Sequence, residues 1–254
     1  MESLSRVGLT WKSTSTCNAV TRQLLSHLFY VCSEVLPILL FCRPDSILSA
    51  ISSISIYSST FRNMAATTLS NSFHQNSNQP AVIVPSKPHA LTVSYKDLCA
   101  EISSFQGKLA KLGISPKSAV SIALPNSYEF IIAFLATSWQ RAIAAPLNSA
   151  YKQEEFEFYI NDLTSALILV PRGEFQKEGP AVRAARTHNA AIAECYWDSK
   201  RAEVALDIKD LGGLNGQNAQ SVHVAETDDV ALVLHTSGTT GRPKAVSDND
   251  IAPS

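Results

Sequence analysis

From Ser118 onward, short apolar runs and helix-patterned stretches take turns along the chain, and this alternation restricts the fold more than any other feature. SAVSIALPN has the composition of a buried strand and is closed by Pro125. NSYEFIIAFLATSWQRA follows, with Asn126 or Ser127 as N-cap of a mostly apolar helix. IAAPLN gives a second short strand, and YKQEEFEFYINDLTSA a helix whose acidic residues lie near its N-terminal end, where the macrodipole favours them. ALILV is a third strand, Pro180 to His188 a helix with proline in its first turn, and AAIAECYW a fourth strand. LGGLNGQNAQS reads as a flexible connection to the last strand, DDVALVLH. Strands that alternate with helices predict βαβ units and an α/β fold around a largely parallel sheet.

Ahead of that region, AVIVPS and ALTVSY predict two short strands about a turn at Pro88. Ser94 then caps a helix, with Asp97 three residues on as a variant capping box. Leu98, Ile102, Phe105, Leu109 and Leu112 form one apolar stripe, and Gly113 suits the left-handed position that ends a helix.

The hydrophobic fraction of 45% is enough for a sizeable core, and 254 residues fit one to two domains. A net charge of −1 gives no global field toward nucleic acid or anionic lipid. Five scattered cysteines without a CxxC pattern predict reduced thiols in an intracellular protein, with no disulfide framework or zinc site. Cys99 and Cys195 are candidates for buried thiols rather than nucleophiles, and Phe134 and Trp139 for core.

Residues 1–63 differ in character: Ser, Leu, Ile and Thr are abundant, and the only acidic groups are Glu2, Glu34 and Asp45. Leu24 to Phe41 is the most hydrophobic window, but His27, Glu34 and Pro37 interrupt it. Three readings stand open: a segment with neither fold nor address, with Met64 as the natural start; an organelle transit peptide; or a membrane anchor through 24–41.

The last strand runs into HTSGTTGRPK. Gly238 and Gly241 permit positive φ and close approach of backbone N–H groups to an anion. Thr236, Ser237, Thr239 and Thr240 add hydroxyl donors, Pro243 stiffens the exit, and Lys244 supplies the cation a nucleotide phosphate needs. Two residues separate the glycines and proline precedes the lysine, so this is not a Walker A loop, and no GxGxxG turn is present.

HTSGTTGRPK resembles the signature loop of the acyl-adenylate-forming superfamily, which includes acyl-CoA synthetases, 4-coumarate–CoA ligases, luciferases and peptide-synthetase adenylation domains. ALPNSYEFIIAFLA and RAIAAPLNSAYKQEEFEFYINDLTSALILV are similar to the N-terminal region of the same superfamily, in particular its peroxisomal group of oxalate–CoA ligases and related acyl-CoA synthetases. The resemblance covers about Asn71 to Val246. It implies the N-terminal part of the large domain of an adenylate-forming enzyme, and an AMP-forming acid–CoA ligase activity. ATP, Mg2+, CoA and a small-molecule carboxylic acid are the implied reactants, with no nucleic acid. It implies further that Thr236, Ser237, Gly238, Thr239, Thr240, Gly241 and Lys244 hold the ATP phosphates, and a peroxisomal or cytoplasmic location. No catalytic or metal-ligating residue is assigned.

The division expected from this resemblance is an unmatched extension over 1–63, a partial AMP-binding domain over 64–246 and an unrelated tail over 247–254. The later family elements are absent, so the chain is expected to be an inactive fragment. A non-catalytic product with weak nucleotide binding and a peptide-synthetase branch stand as alternatives. Val246-Ser247 is what GTAAGT, a common intron start, encodes, so the tail is expected to be intron read-through or a gene-model error. Val230 to Leu234 is accordingly expected to lack strand neighbours and to form an aggregation-prone edge. His74, His89, His188 and His223 are expected at the surface. His235 faces either a substrate pocket or a structural partner at the strand end, and Glu154, Glu155 and Glu157 form a solvated helix face.

Overall fold

The computed structural model describes residues 68–84, 91–236 and 244–249. Residues 1–63, including the apolar window 24–41, lie outside them, as do the turn at Pro88 and His89. No helix among the described residues is long and apolar enough to cross a membrane.

The chain enters through a hairpin of β1 (Pro80–Val84) and β2 (Leu91–Ser94), which pair antiparallel. Helix α1 (Tyr95–Lys111) follows directly. Ser94 caps it reciprocally: its hydroxyl accepts from the Asp97 amide at 3.1 Å and donates to the Asp97 carboxylate at 2.7 Å. The helix ends where the sequence predicts, with Gly113 at φ +97°.

Four strands of the main sheet alternate with three helices: β3 (Ala119–Ile122), α2 (Tyr128–Trp139), β4 (Ile143–Pro146), α3 (Gln153–Leu163), β5 (Leu167–Val170), α4 (Pro180–Thr187) and β6 (Ala191–Asp198). Then come β7 (Glu203–Asp210), a short 3-10 turn, β8 (Val230–Thr236) and β9 (Lys244–Asn249). The order across the seven-stranded sheet is β7-β6-β5-β3-β4-β8-β9. The five inner strands run parallel, and the outer two, β7 and β9, run antiparallel to their neighbours.

Strand periodicity sorts the core onto two faces. Val120, Ile122, Leu167, Leu169, Ala191 and Ala193 pack with α1 and α2, while Ala123, Ile168, Val170 and Ile192 pack with α3 and α4. Crossovers between parallel strands are right-handed. From β3 the chain steps one way to β4, then returns past β3 to β5 and β6, so the helices fall on opposite faces.

Three features go beyond or against the sequence reading. First, Glu203–Asp210, a stretch the reading does not assign, forms β7. Its period-two pattern of Val204, Leu206 and Ile208 is the signal that carries it. Glu101 accepts from the Val204 amide at 2.6 Å and Glu129 from the Trp197 amide at 3.0 Å, pinning the β6–β7 hairpin to α1 and α2. Second, β8 does not lack neighbours. It sits between β4 and β9, because Lys244–Asn249 turns back along it, and Ser247 to Asn249 extend that pairing.

Third, the connection after β7 is held rather than loose. Gln140, fully buried, donates to the carbonyls of Ser221 at 2.9 Å and Ile114 at 3.2 Å, and accepts from the His223 amide at 3.3 Å. Gln106 donates to the carbonyls of Trp139 and His223 at 2.9 and 2.8 Å. His223 is therefore half-buried with Nε2 enclosed, not a surface histidine.

Gln140→Ala removes the partner of the buried Ile114 carbonyl and of the Ser221 carbonyl and His223 amide, so it is expected to lower unfolding free energy by about 2 kcal/mol, the cost of orphaned hydrogen-bonding partners. Urea denaturation, with hydrogen exchange over 215–224, checks this, and the exchange increase is expected to be confined to that segment.

Candidate functional site at the carboxyl rim of the sheet

Parallel strands end on one rim, and β8 reaches it with His235 and Thr236, the first two residues of HTSGTTGRPK. The start of β8 is fixed by charge. Arg141 takes a left-handed conformation, φ +62°, in the bend after α2. Its guanidinium donates to both oxygens of Asp229, at 2.9 to 3.1 Å, and to the Glu226 carboxylate. Asp229 is buried, so the fork satisfies a carboxylate that would otherwise be costly to enclose. The Ser138 hydroxyl donates to the Ala231 carbonyl at 3.2 Å, tying the first turn of the strand to α2.

At the other end, the β8–β9 register sets Thr236 opposite Lys244, His235 opposite Ala245 and Leu234 opposite Val246. Two expected phosphate-site residues are thus brought together as paired backbone stems. Ser237, Gly238, Thr239, Thr240 and Gly241 lie outside the described residues, as do the side chains of Thr236 and Lys244.

His235 is the last described side chain before the loop. Its Nε2 lies 2.9 Å from Asp162 Oδ2 on α3, and its ring meets the Tyr159 ring at 4.6 Å between centroids. Of the two sequence readings of His235, the structural partner at the strand end is the one present. Tyr159 in turn contacts Tyr151 at 5.2 Å. Burial pushes the Tyr159 phenol up to about 12, with the Tyr151 hydrogen bond and nearby Glu155 adding to it.

A cleft of about 180 Å³ opens on the same rim. It lies beyond the carboxyl ends of β3 and β5, lined there by Ala123 and Val170, with Ser149 from the turn after β4 and Pro180 from the start of α4. From β3 the chain leaves toward β4, and from β5 it leaves toward β6 on the other side. A crevice between strands whose connections diverge is where open α/β sheets take ligands. The turn along its border is set by Glu194, whose Oε1 accepts from the amides of Gly173 and Phe175 at 2.8 and 3.1 Å. Glu194 is 3% exposed and faces Lys209 at 3.5 Å. Sequence reading missed it. Its signal was a carboxylate inside the apolar run AAIAECYW.

Cys99 and Cys195 are free and buried, and burial pushes both thiols up, which disfavours the nucleophilic thiolate. Glu155 caps α3 by accepting from the Lys152 amide at 2.8 Å, and Glu157 accepts from Gln153. Among the described residues no three His, Cys, Asp or Glu side chains gather as metal ligands.

The sequence profile of the AMP-binding enzyme family matches residues 69–247. Among curated proteins, the chain is 34% identical over 207 residues to an oxalate–CoA ligase of Saccharomyces cerevisiae, covering 72% of this chain and 38% of that protein. It is 41% identical over 136 residues to an oxalate–CoA ligase of Arabidopsis thaliana, covering 53% of this chain and 25% of that protein. The chain thus spans between a quarter and two fifths of the length of these relatives. Among solved structures, ATP-bound MatB from Rhodopseudomonas palustris superposes with a TM-score of 0.55 at 20% identity, over 73% of this chain and 35% of that one, a likeness of fold.

Tyr159 makes the packing beside the loop testable by pH. The unfolded phenol ionises near 10, while the folded one holds its proton to about 12. Its stabilising contribution is therefore complete below the unfolded value and is lost as pH rises through that window. Denaturation midpoints are expected to fall across the window, and Tyr159→Phe is expected to reduce the fall. Part of it remains because burial and Glu101 also raise the Tyr128 phenol.

Proposed function

The chain belongs to the AMP-binding enzyme family, and from that premise we propose that residues 236–244 are the ATP-phosphate loop of an AMP-forming acid–CoA ligase. The reading rests on one observation above the others. A loop rich in glycine, hydroxyls and a lysine is strung between paired stems, Thr236 and Lys244, at the carboxyl rim of a parallel sheet.

In this reading a carboxylate oxygen attacks the α-phosphorus of ATP. A P–O bond forms, the bond to the β-phosphate bridging oxygen breaks, and pyrophosphate leaves. The sulfur of CoA then attacks the acyl carbon and AMP departs with the C–O electron pair. Charge builds on the leaving pyrophosphate in the first step. Backbone N–H groups freed by Gly238 and Gly241, the hydroxyls of Thr236, Ser237, Thr239 and Thr240, and the Lys244 ammonium are the groups suited to stabilise it. This donor set fits a triphosphate. Mg2+ would enter with the ATP and help neutralise that charge, and no residue of this chain is assigned as its ligand.

Two of the relatives are named oxalate–CoA ligases, which makes oxalate the first acid to test. The 254 residues taken alone span at most 38% and 25% of those proteins, and we take them to bind nucleotide without completing the ligation.

Titration calorimetry with ATP is expected to show binding that Lys244→Ala weakens by roughly tenfold, the loss of about one charge-assisted contact. Pyrophosphate release with ATP and an acid panel led by oxalate is expected to stay at background. Turnover that Lys244→Ala abolishes would instead establish the chain as an active ligase. ATP binding that is absent, or indifferent to Lys244, would overturn the assignment of the loop.

A further inference from the structure

Resting on the reading of residues 236–244 as a phosphate loop, we propose that His235 is a positioning residue for that loop and acts through Asp162. The described ladder between β4 and β8 is short, with Ala144 paired to Leu232. Two residues further along β4 comes Pro146, which has no N–H to continue a ladder. Past Leu232, β8 therefore projects beyond its inner neighbour, and its tip, Leu234–Thr236, is paired by β9 alone among the described strands. β9 runs on from the loop itself, so that pairing closes the hairpin but does not fix it to the rest of the sheet.

The His235 side chain supplies that fixing. It is 4% exposed, whereas its partner Asp162 is 45% exposed at the surface of α3. Tyr159 and Asp162 stand one helical turn apart, on neighbouring positions of one face, so ring and carboxylate of α3 form a single seat for the imidazole. Phe158 closes the outer side, 6.3 Å from the ring. The geometry requires a hydrogen at Nε2 to donate to Asp162 Oδ2, which either the neutral Nε2–H tautomer or the imidazolium provides. The backbone next to that seat is Thr236, the first residue of the loop. Nε2 thus works as a strut between a packed helix and the stem that presents the phosphate donors.

The position of the donor, rather than ring volume, is what the test separates. A glutamine amide can reach where Nε2 sits, while an asparagine amide stops near Nδ1. The probe is inorganic tripolyphosphate, titrated into the 254-residue chain. His235→Asn and Asp162→Ala are each expected to weaken its binding about tenfold, within the range for one coupled contact. His235→Gln is expected to recover most of that loss, and the double variant His235→Asn/Asp162→Ala to be no weaker than either single change. Amide exchange at Thr236 is expected to quicken in the Asn and Ala variants and to stay near wild type in the Gln variant.

Equal losses for Asn and Gln, additive losses in the double variant, or Thr236 exchange unchanged across the set would each overturn the strut. Wild-type chain that binds no tripolyphosphate overturns the phosphate-loop reading instead, while the exchange pattern at Thr236 still decides whether His235 holds the stem.

Discussion

A parallel strand cannot be reached by a tight turn. Each return to the starting edge needs a crossover long enough to span the sheet, and from β3 to β6 the crossovers are helices. That constraint orders the rest of the molecule. It places α2 over one face and α3 and α4 over the other, and so divides the apolar side chains of β3, β5 and β6 between two buried layers. It also gathers every parallel strand end on one rim. The end of β8, at His235 and Thr236, and the cleft beyond β3 and β5 share a side of the molecule for that reason. The antiparallel strands sit at the margins, β7 and β9, where a hairpin suffices.

Within this frame the polar groups that matter most are three buried side chains that act on backbone and one half-buried arginine that holds a buried carboxylate. Gln106 and Gln140 bind the carbonyls and amide of the stretch after β7, Glu194 binds two amides of the turn after β5, and Arg141 holds Asp229 where β8 begins. Each offsets the cost of enclosing unpaired polar groups. Each also joins segments far apart in sequence. Glu194 acts at the carboxyl rim, whereas Gln106, Gln140 and Arg141 act near the amino ends of the strands, and β8 is gripped near its start by Ser138 and Arg141 and near its end by His235. On the proposed reading of residues 236–244, stems held in this way spare the loop reorganisation when it offers donors to phosphate.

Much of this was legible beforehand. The cap at Ser94, the apolar stripe of α1, the stop at Gly113, an N-cap at Asn126 or Ser127 and the strand–helix alternation through β6 all depend on residues within a few positions of one another. The family resemblance was legible for the same reason, since the residues of HTSGTTGRPK that carry it stand side by side. What escaped notice was β7, despite its alternating Val204, Leu206 and Ile208. Also hidden were β9, the clamped Leu211–Ser221 segment, the enclosed His223, and the roles of Glu194 and His235.

The sequence by itself determined the local periodicity, the caps and the family resemblance, because caps, turns and signature residues of this kind lie within a handful of positions. Only the tertiary structure decided the rest. Glu194 looked like one acidic residue in an apolar run until the fold set the amides of Gly173 and Phe175 against it. His235 had two readings until α3 brought Asp162 within 2.9 Å. A buried polar side chain takes its meaning from the group it satisfies, and across a crossover fold that group comes from another strand or helix.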